Sequence, residues 1–307
     1  MGKILQFMGL ASWWLQCRLG KKSPLVNTMM IHYGCNLRCR HCSVVAGEDA
    51  LPEKNKLTAA EMEEEMRGMR EAGARILYFE GGEPTLWTDD GLDLGDLIEM
   101  GRSMGYYNIA YTTNGTNRFF TEADVISISL DGPREVHDDV RGEGVFDKLM
   151  ENLETLDHPA VFANFTIQKS NLHVMRETGE LVRDHPGIKG IIYNFVTPPP
   201  MEEALSLEEK RVAVEEIRRM KKDGFPILNS NGALKLLLEE DFSDRCPYFM
   251  SAFVLPDRSH AYGCPMAGTD SCKKCGFDAP REYYLVNRGN PFTILEMTQM
   301  FALSLRG

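Results

Sequence analysis

Three cysteines lie close together in the segment CNLRCRHC, which spans residues 35–42. Thiolates are the usual protein ligands of iron–sulfur clusters, and three of them in one short loop can bind three irons of a four-iron cube. The fourth iron is then open to another ligand, as in catalytic zinc sites that keep one open position. A structural zinc site usually has four ligands in paired two-residue spacings. Within this loop only Cys39 and Cys42 have that spacing. Cys35, Cys39 and Cys42 therefore favour an open [4Fe-4S] site over zinc or free thiols.

A second group of cysteines lies near the end of the chain. Its members are Cys246, Cys264, Cys272 and Cys275, with 17, 7 and 2 residues between them. Four thiolates can fully ligate either one four-iron cluster or one zinc ion. We expect a second [4Fe-4S] cluster, with zinc and metal-free thiols as the alternatives. Full ligation would favour electron transfer or structural support over direct binding of a substrate.

The elements that must position these cysteines alternate between strands and helices. The predicted strands are Val26–Tyr33, Arg75–Glu80, Asn108–Thr112, Val125–Leu130, Val161–Gln168 and Ile188–Val196. The predicted helices are Thr58–Glu71, Leu92–Met104, Val145–Leu156, Leu172–Arg183 and Leu205–Lys222. Such alternation predicts right-handed βαβ units, a parallel sheet and an α/β fold, with ligands bound at the carboxyl ends of the strands.

Six such units are too few for a closed eight-stranded barrel, so the sequence predicts a partial (β/α)6 barrel. We expect this barrel to cover residues 25–222. Residues 1–24 would form an amino-terminal amphipathic helix, and residues 223–307 a small cysteine-rich, metal-binding cap. The cysteine loop follows the first predicted strand, at the edge where a ligand would bind.

The second predicted strand ends in the segment Gly81-Gly82-Glu83-Pro84. Glycine permits close backbone approach and positive φ, and proline fixes a turn. Backbone carbonyls and a carboxylate are suitable acceptors for an ammonium group. These residues could be only a turn, but their position after the cysteine loop and at the next strand end favours a binding role.

The CxxxCxxC loop followed by GGEP resembles the signature of the radical S-adenosylmethionine (SAM) superfamily. Further segments extend the resemblance in the same order: TTNGT (112–116), SISLDG (127–132) and HDDVRGEG (137–144). The resemblance implies that SAM binds the open iron and is reductively cleaved to a 5′-deoxyadenosyl radical, which abstracts hydrogen from a substrate. A flavodoxin- or ferredoxin-like protein would donate the electron.

The resemblance also implies residue roles. His41 would lie beside the adenine, and the GGEP segment would bind the SAM amino group. Arg141 would place a cation near the SAM carboxylate or the cluster. The other expected residues of the SAM pocket are Thr113, Asn114, Ser129, Asp131 and Asn194. The carboxy-terminal cysteines resemble a SPASM or Twitch auxiliary-cluster region without the full seven-cysteine pattern, which implies at most one further cluster.

Net charge, cysteine content and the first residues narrow the range of expected partners and compartments. The net charge of −11 disfavours general nucleic-acid binding. The cysteine spacing and the lack of a secretory signal predict a protein located in the reducing cytoplasm. Residues 1–22 predict an apolar helix with basic flanks, which either packs on the protein, binds a partner or attaches to a membrane surface.

The motifs do not specify the substrate. We expect a peptide or protein, with a lipid or isoprenoid-type substrate at the membrane surface as the alternative. A non-catalytic iron–sulfur or zinc protein that retains the fold is a further alternative, disfavoured by the SAM motifs.

Overall fold

The computed structural model describes residues 3–42, 54–197 and 201–304. The six predicted strands are present: β1 (Val26–Met30), β2 (Ile76–Glu80), β3 (Asn108–Thr113), β4 (Val125–Ser129), β5 (Val161–Ile167) and β6 (Gly190–Phe195). They pair in parallel in this order, which confirms the α/β fold and its mostly parallel sheet. A short hairpin, Thr88–Asp89 with Leu92–Asp93, lies outside the main sheet.

Helices cover the outside of this sheet. They are α1 (Lys3–Arg18), α2 (Ala59–Ala72), α3 (Leu94–Ser103), α4 (Arg134–Arg141), α5 (Val145–Glu154), α6 (Met175–Asp184), α7 (Leu207–Lys222), α8 (Asn231–Leu236), α9 (Asp270–Lys273), α10 (Ala279–Asn287) and α11 (Pro291–Ser304). The capping box expected of Thr58 and Glu61 is formed at the start of α2. Each side chain satisfies a backbone N–H that the first helical turn leaves without a partner.

The two faces of the sheet differ in chemistry because alternate residues of a strand point to opposite sides. On β2, Leu77 and Phe79 are fully buried in the main hydrophobic core. The opposite face carries polar residues, among them Tyr78 and Thr112, whose hydroxyl oxygens lie 3.0 Å apart. We call this polar inner face of the sheet the lumen face. It borders the carboxyl ends of the strands that carry the sequence motifs.

Two further strands, β7 (Ser251–Val254) and β8 (His260–Tyr262), extend the sheet beside β1. β7 is parallel to β1 and β8 is antiparallel to β7, so the sheet has eight strands. The β7–β8 hairpin is joined to α2 by Glu65, which accepts hydrogen bonds from Arg258 and His260, each at 2.8 Å. Part of the region expected to be a separate cap thus completes the barrel sheet.

Helix α1 packs on the body of the protein. Trp13 is buried, and the indole of Trp14 donates to the Val286 carbonyl at 3.1 Å. Phe7 and Leu15 on the same helix are exposed. Among the described residues, no helix combines the length and apolar character needed to cross a membrane.

Candidate active site

The cysteine loop is fastened to the GGEP segment by backbone hydrogen bonds. The amide of Gly82 donates to the His32 carbonyl at 2.8 Å, and that of Glu83 donates to the Gly34 carbonyl at 2.9 Å. A Cβ atom on Gly82 would lie 2.0 Å from the Gly34 oxygen, so only glycine permits this approach. The two motifs therefore form one rigid unit at the ends of β1 and β2.

The three thiols of the loop share one electrostatic environment. Burial raises the pKa of Cys39, its neighbours Cys35 and Cys42 raise it further, and the Arg141 guanidinium opposes the rise. A turn closes the loop, with the Cys42 amide donating to the Cys39 carbonyl at 3.1 Å. Burial raises the pKa of Cys35 as well. Such thiols become thiolates when they bind iron, since a metal ion inverts the local pKa preference.

The described residues contain no three His, Cys, Asp or Glu side chains that converge on a single metal ion. A four-iron cube does not require such convergence because its thiolates bind different irons. The thiol-only donor set and the glycine-lined approach of GGEP fit a cluster that carries a further ligand.

Glu83 links the ends of β2 and β3. Its Oε1 accepts from the Thr113 hydroxyl at 2.7 Å and from the hydroxyl and amide of Thr85 at 2.8 and 3.2 Å. Its Oε2 accepts from the Asn114 amide at 2.7 Å. Burial raises the pKa of Glu83, and these hydrogen bonds oppose the rise. The side chain is 1% exposed, so it clamps two strand ends in addition to any contact with SAM.

A buried ion pair lies on the other side of the cysteine loop. Arg141 at the end of α4 donates from Nε to Asp131 Oδ2 at 2.7 Å, and its Nη1 lies 3.8 Å from Cys39 Sγ. Burial raises the pKa of Asp131, but Arg141 and His41 more than offset this and hold it below its usual value. His41 Nε2 lies 3.8 Å from Asp131 Oδ2, which places this ring between the loop and the ion pair.

Asn114, Ser129 and Asn194 lie around the same strand ends. Asn114 donates to the Asn36 side chain of the cysteine loop at 2.9 Å. Asn194 donates to Asn164 at 2.9 Å, and Asn164 is the register partner of Ser129. The structure thus brings the sequence-predicted residues of β3, β4 and β6 to one edge of the sheet.

Residues 29–158 match the family model described as the radical SAM superfamily. The chain contains a radical SAM domain. Its curated relatives include an Fe-coproporphyrin III synthase from Methanosarcina barkeri, 30% identical over 67% of this chain and 54% of that protein. Another is the mycofactocin maturase MftC of Mycolicibacterium smegmatis, 30% identical over 53% of this chain and 41% of that protein. The chain spans about half the length of these relatives.

Solved structures share the fold of the radical SAM domain. The crystal structure of Streptococcus suis SuiB bound to precursor peptide SuiA has a TM-score of 0.60 and 12% sequence identity. The structural match covers 95% of this chain and 72% of the SuiB chain. At this identity the likeness establishes the arrangement of strands and helices.

The carboxy-terminal cysteines come together beside the radical SAM domain. The pKa of Cys246 is raised to about 12 by burial and by the three other cysteines of the group. Tyr248 Oη lies 3.3 Å from Cys272 Sγ, and Arg281 Nη1 lies 3.6 Å from Cys275 Sγ. The buried Arg281 also donates to the Phe277 and Cys275 carbonyls at 2.7 and 2.9 Å. Among the described residues no carboxylate lies within salt-bridge distance of Arg281, so a Cys275 thiolate would be its anionic partner.

This group is attached to the end of β6. Phe195 donates from its amide to the Gly276 carbonyl at 2.9 Å, and the Gly276 amide donates to Thr197 Oγ1 at 2.9 Å. The Asp278 amide donates to Asn194 Oδ1 at 2.7 Å. The second cysteine group therefore borders the same strand ends as the first.

Sequence reasoning missed Glu80 and His32. His32 is buried, and its Nε2 lies 2.8 Å from the Glu83 carbonyl oxygen, which fixes the start of the cysteine loop. Glu80 ends β2 on the lumen face, and burial raises its pKa to about 7. The period-two alternation of β2 would have identified Glu80, since the core residues Leu77 and Phe79 define the opposite face.

Proposed function

We propose that this chain is a radical SAM enzyme that holds a [4Fe-4S] cluster on Cys35, Cys39 and Cys42. With SAM bound, a cluster held by these three cysteines would supply one-electron reductive cleavage of SAM to methionine and a 5′-deoxyadenosyl radical, the species that would take hydrogen from a substrate. The observation that supports this most is the fastening of the cysteine loop onto GGEP by two backbone hydrogen bonds.

The protein's own residues would bind and orient. The buried Arg141–Asp131 pair puts a guanidinium beside the Cys39 thiolate, which stabilises that thiolate and offers a donor to a SAM carboxylate. The Glu83 clamp would keep the ends of β2 and β3 at a fixed separation and so hold the glycine segment in position to accept from an ammonium group. His41, largely buried beside Asp131, would lie against the adenine.

We propose a second [4Fe-4S] cluster on Cys246, Cys264, Cys272 and Cys275. Contacts from Tyr248 and Arg281 to two of these sulfurs are the kind that tune an iron–sulfur centre. A flavodoxin- or ferredoxin-like protein would supply electrons to the protein from outside.

A peptide or protein is the substrate we favour because maturases are among the relatives. The similarity to an Fe-coproporphyrin III synthase favours a tetrapyrrole as the second candidate. Attachment of α1 to a membrane, and with it a lipid substrate, is supported only by the exposed side chains of Phe7, Leu15 and Leu19.

The test uses anaerobically reconstituted protein and measures iron, zinc and 5′-deoxyadenosine formed with dithionite and SAM. Cys39→Ala should lose the cluster of the loop and all 5′-deoxyadenosine formation. Cys272→Ala should lose about half the iron but retain some SAM cleavage. Cys17→Ala, outside both groups, is the matched control and should resemble the natural protein.

Equal and complete loss of cleavage in Cys39→Ala and Cys272→Ala would contradict the division of labour. Stoichiometric zinc in place of half the iron would contradict the second cluster and assign the carboxy-terminal cysteines to a zinc site. Failure of the natural protein to cleave SAM would favour a non-catalytic metal protein.

A further inference from the structure

Glu80 is the last residue of β2 and lies on the lumen face. Its register partner across the sheet is Met30 on β1, immediately before the cysteine loop. Leu77 and Phe79 point the other way, into the core. The carboxylate is therefore directed into the interior of the barrel, next to the glycines of the GGEP segment.

Within the described residues, the Glu80 carboxylate has no hydrogen bond or ion pair. The other acidic side chains at this edge are engaged: Glu83 accepts four hydrogen bonds, and Asp131 is paired with Arg141. Tyr78, on the same face of β2, has its hydroxyl 3.0 Å from Thr112 Oγ1. Glu80 is thus the acidic group of this edge whose charge the protein leaves uncompensated.

Tyr283 closes the space around Glu80 from the carboxy-terminal side. This residue belongs to α10, and its pKa is raised by burial and by the nearby Tyr78 and Glu80. The Glu80 side chain is partly buried, and a carboxylate that is partly withdrawn from water without a partner favours binding of a cation. Two phenol rings and an unpaired carboxylate form a surrounding suited to a cation with an apolar stem.

We propose that Glu80 binds a positively charged group of the substrate, an ammonium or a guanidinium. The proposal rests on the radical SAM function and narrows its substrate class: a lysine- or arginine-bearing peptide, or another organic cation, would be oriented by this contact. The charged group would be fixed at the carboxyl end of β2 while the reacting C–H bond faces the SAM side of the lumen.

The experiment measures binding of two fluorinated probes to the reconstituted, SAM-bound protein by fluorine NMR line broadening. The probes are 4-fluorobenzylammonium and the neutral 4-fluorobenzyl alcohol. The natural protein should bind the cation at least about tenfold more tightly, since a charge-assisted contact exceeds 1.4 kcal/mol. Glu80→Gln should abolish the preference, and Glu80→Asp should retain part of it. Glu63→Gln, on the exposed surface of α2, is the matched control and should retain all of it.

The preference should also depend on pH in one direction. The titratable groups facing Glu80 are Tyr78, with its pKa raised to about 12, and Tyr283, also raised, so both stay neutral between pH 6 and 8. Burial raises the pKa of Glu80 to about 7, so its ionised fraction rises from about a tenth to about nine tenths over that range. Affinity for the cation should increase about tenfold from pH 6 to 8, and affinity for the alcohol should not.

Equal affinity for both probes, or an unchanged preference in Glu80→Gln, would overturn the proposal. The affinity for SAM is measured in parallel. A loss of SAM affinity in Glu80→Gln as large as the loss of probe affinity would assign Glu80 to SAM and also overturn it. SAM cleavage by the natural protein is a separate readout, so failure of the proposed function is distinguishable from failure of this contact.

Discussion

The substitution Glu83→Gln distinguishes two roles of this GGEP carboxylate, which are contact with the SAM amino group and attachment of β2 to β3. The resemblance gives this carboxylate to the SAM amino group, whereas the structure shows it accepting from Thr85, Thr113 and Asn114 at 2.7–3.2 Å. A glutamine can leave its oxygen with the two threonines, but its NH₂ group then faces the Asn114 N–H. Two donors would meet in a site that is 1% exposed.

The cost follows from those contacts. Losing a charge-assisted hydrogen bond removes about 1.5–3 kcal/mol, and leaving a buried donor without an acceptor costs about 1–3 kcal/mol. Glutamine avoids burying a charge, and since burial raises the pKa of Glu83, part of the loss is offset. We expect the free energy of unfolding to fall by about 2–4 kcal/mol.

The assay is equilibrium urea unfolding of protein free of metal and SAM, so that no ligand contributes to stability. Glu63→Gln, whose side chain is exposed beside Arg67, should change the free energy of unfolding by less than about 0.5 kcal/mol. An unchanged unfolding midpoint in Glu83→Gln, together with loss of SAM affinity, would refute the clamp and leave SAM as the sole partner of this carboxylate.

Two further predictions concern other contacts of the site. His137 is buried, and burial and the Arg141 charge lower its pKa to about 4, while the unfolded chain takes up the proton near pH 6.5. The free energy of unfolding should therefore decrease as pH falls from 6.5 to 4, by up to about 1.4 kcal/mol per unit; His137→Asn should flatten this slope in urea unfolding, and an identical slope would contradict the assignment. Tyr248→Phe should make the reduction potential of the carboxy-terminal cluster more negative in an EPR-monitored titration, because a hydroxyl next to a thiolate ligand donates to it and stabilises the reduced state. Tyr262→Phe, at a side chain that is half-exposed, should leave the potential unchanged, and an equal shift in both variants would exclude the specific contact.

The sequence predicted the six parallel strands because each has its own apolar pattern, and the first four also end in a motif. The same reasoning placed the cysteine loop next to GGEP, since consecutive parallel strands end at the same edge. It missed β7 and β8 because these strands are four and three residues long and lie in a region with no alternation. The position of β7 depends on pairing with β1 and that of β8 on pairing with β7, which no local pattern encodes.

The role of Glu83 shows a second limit. A motif identifies a carboxylate suited to an ammonium group, but the hydrogen bonds from Thr113 and Asn114 exist only because β3 lies beside β2. Glu80 was overlooked for a related reason: its significance is the absence of a partner among the described residues, and partners are a property of the folded neighbourhood.

The junction of Gly276 with Phe195 couples the folding of the two cysteine-bearing regions. A Cβ at position 276 would lie 2.0 Å from the Phe195 carbonyl oxygen, so the segment following Cys275 is in direct contact with β6. Metal bound by the carboxy-terminal thiols would therefore stabilise the strand end that carries Asn194 as well. Under the proposed second cluster, metal content in one region would determine order in the other, and protein lacking that metal would have a looser end of β6.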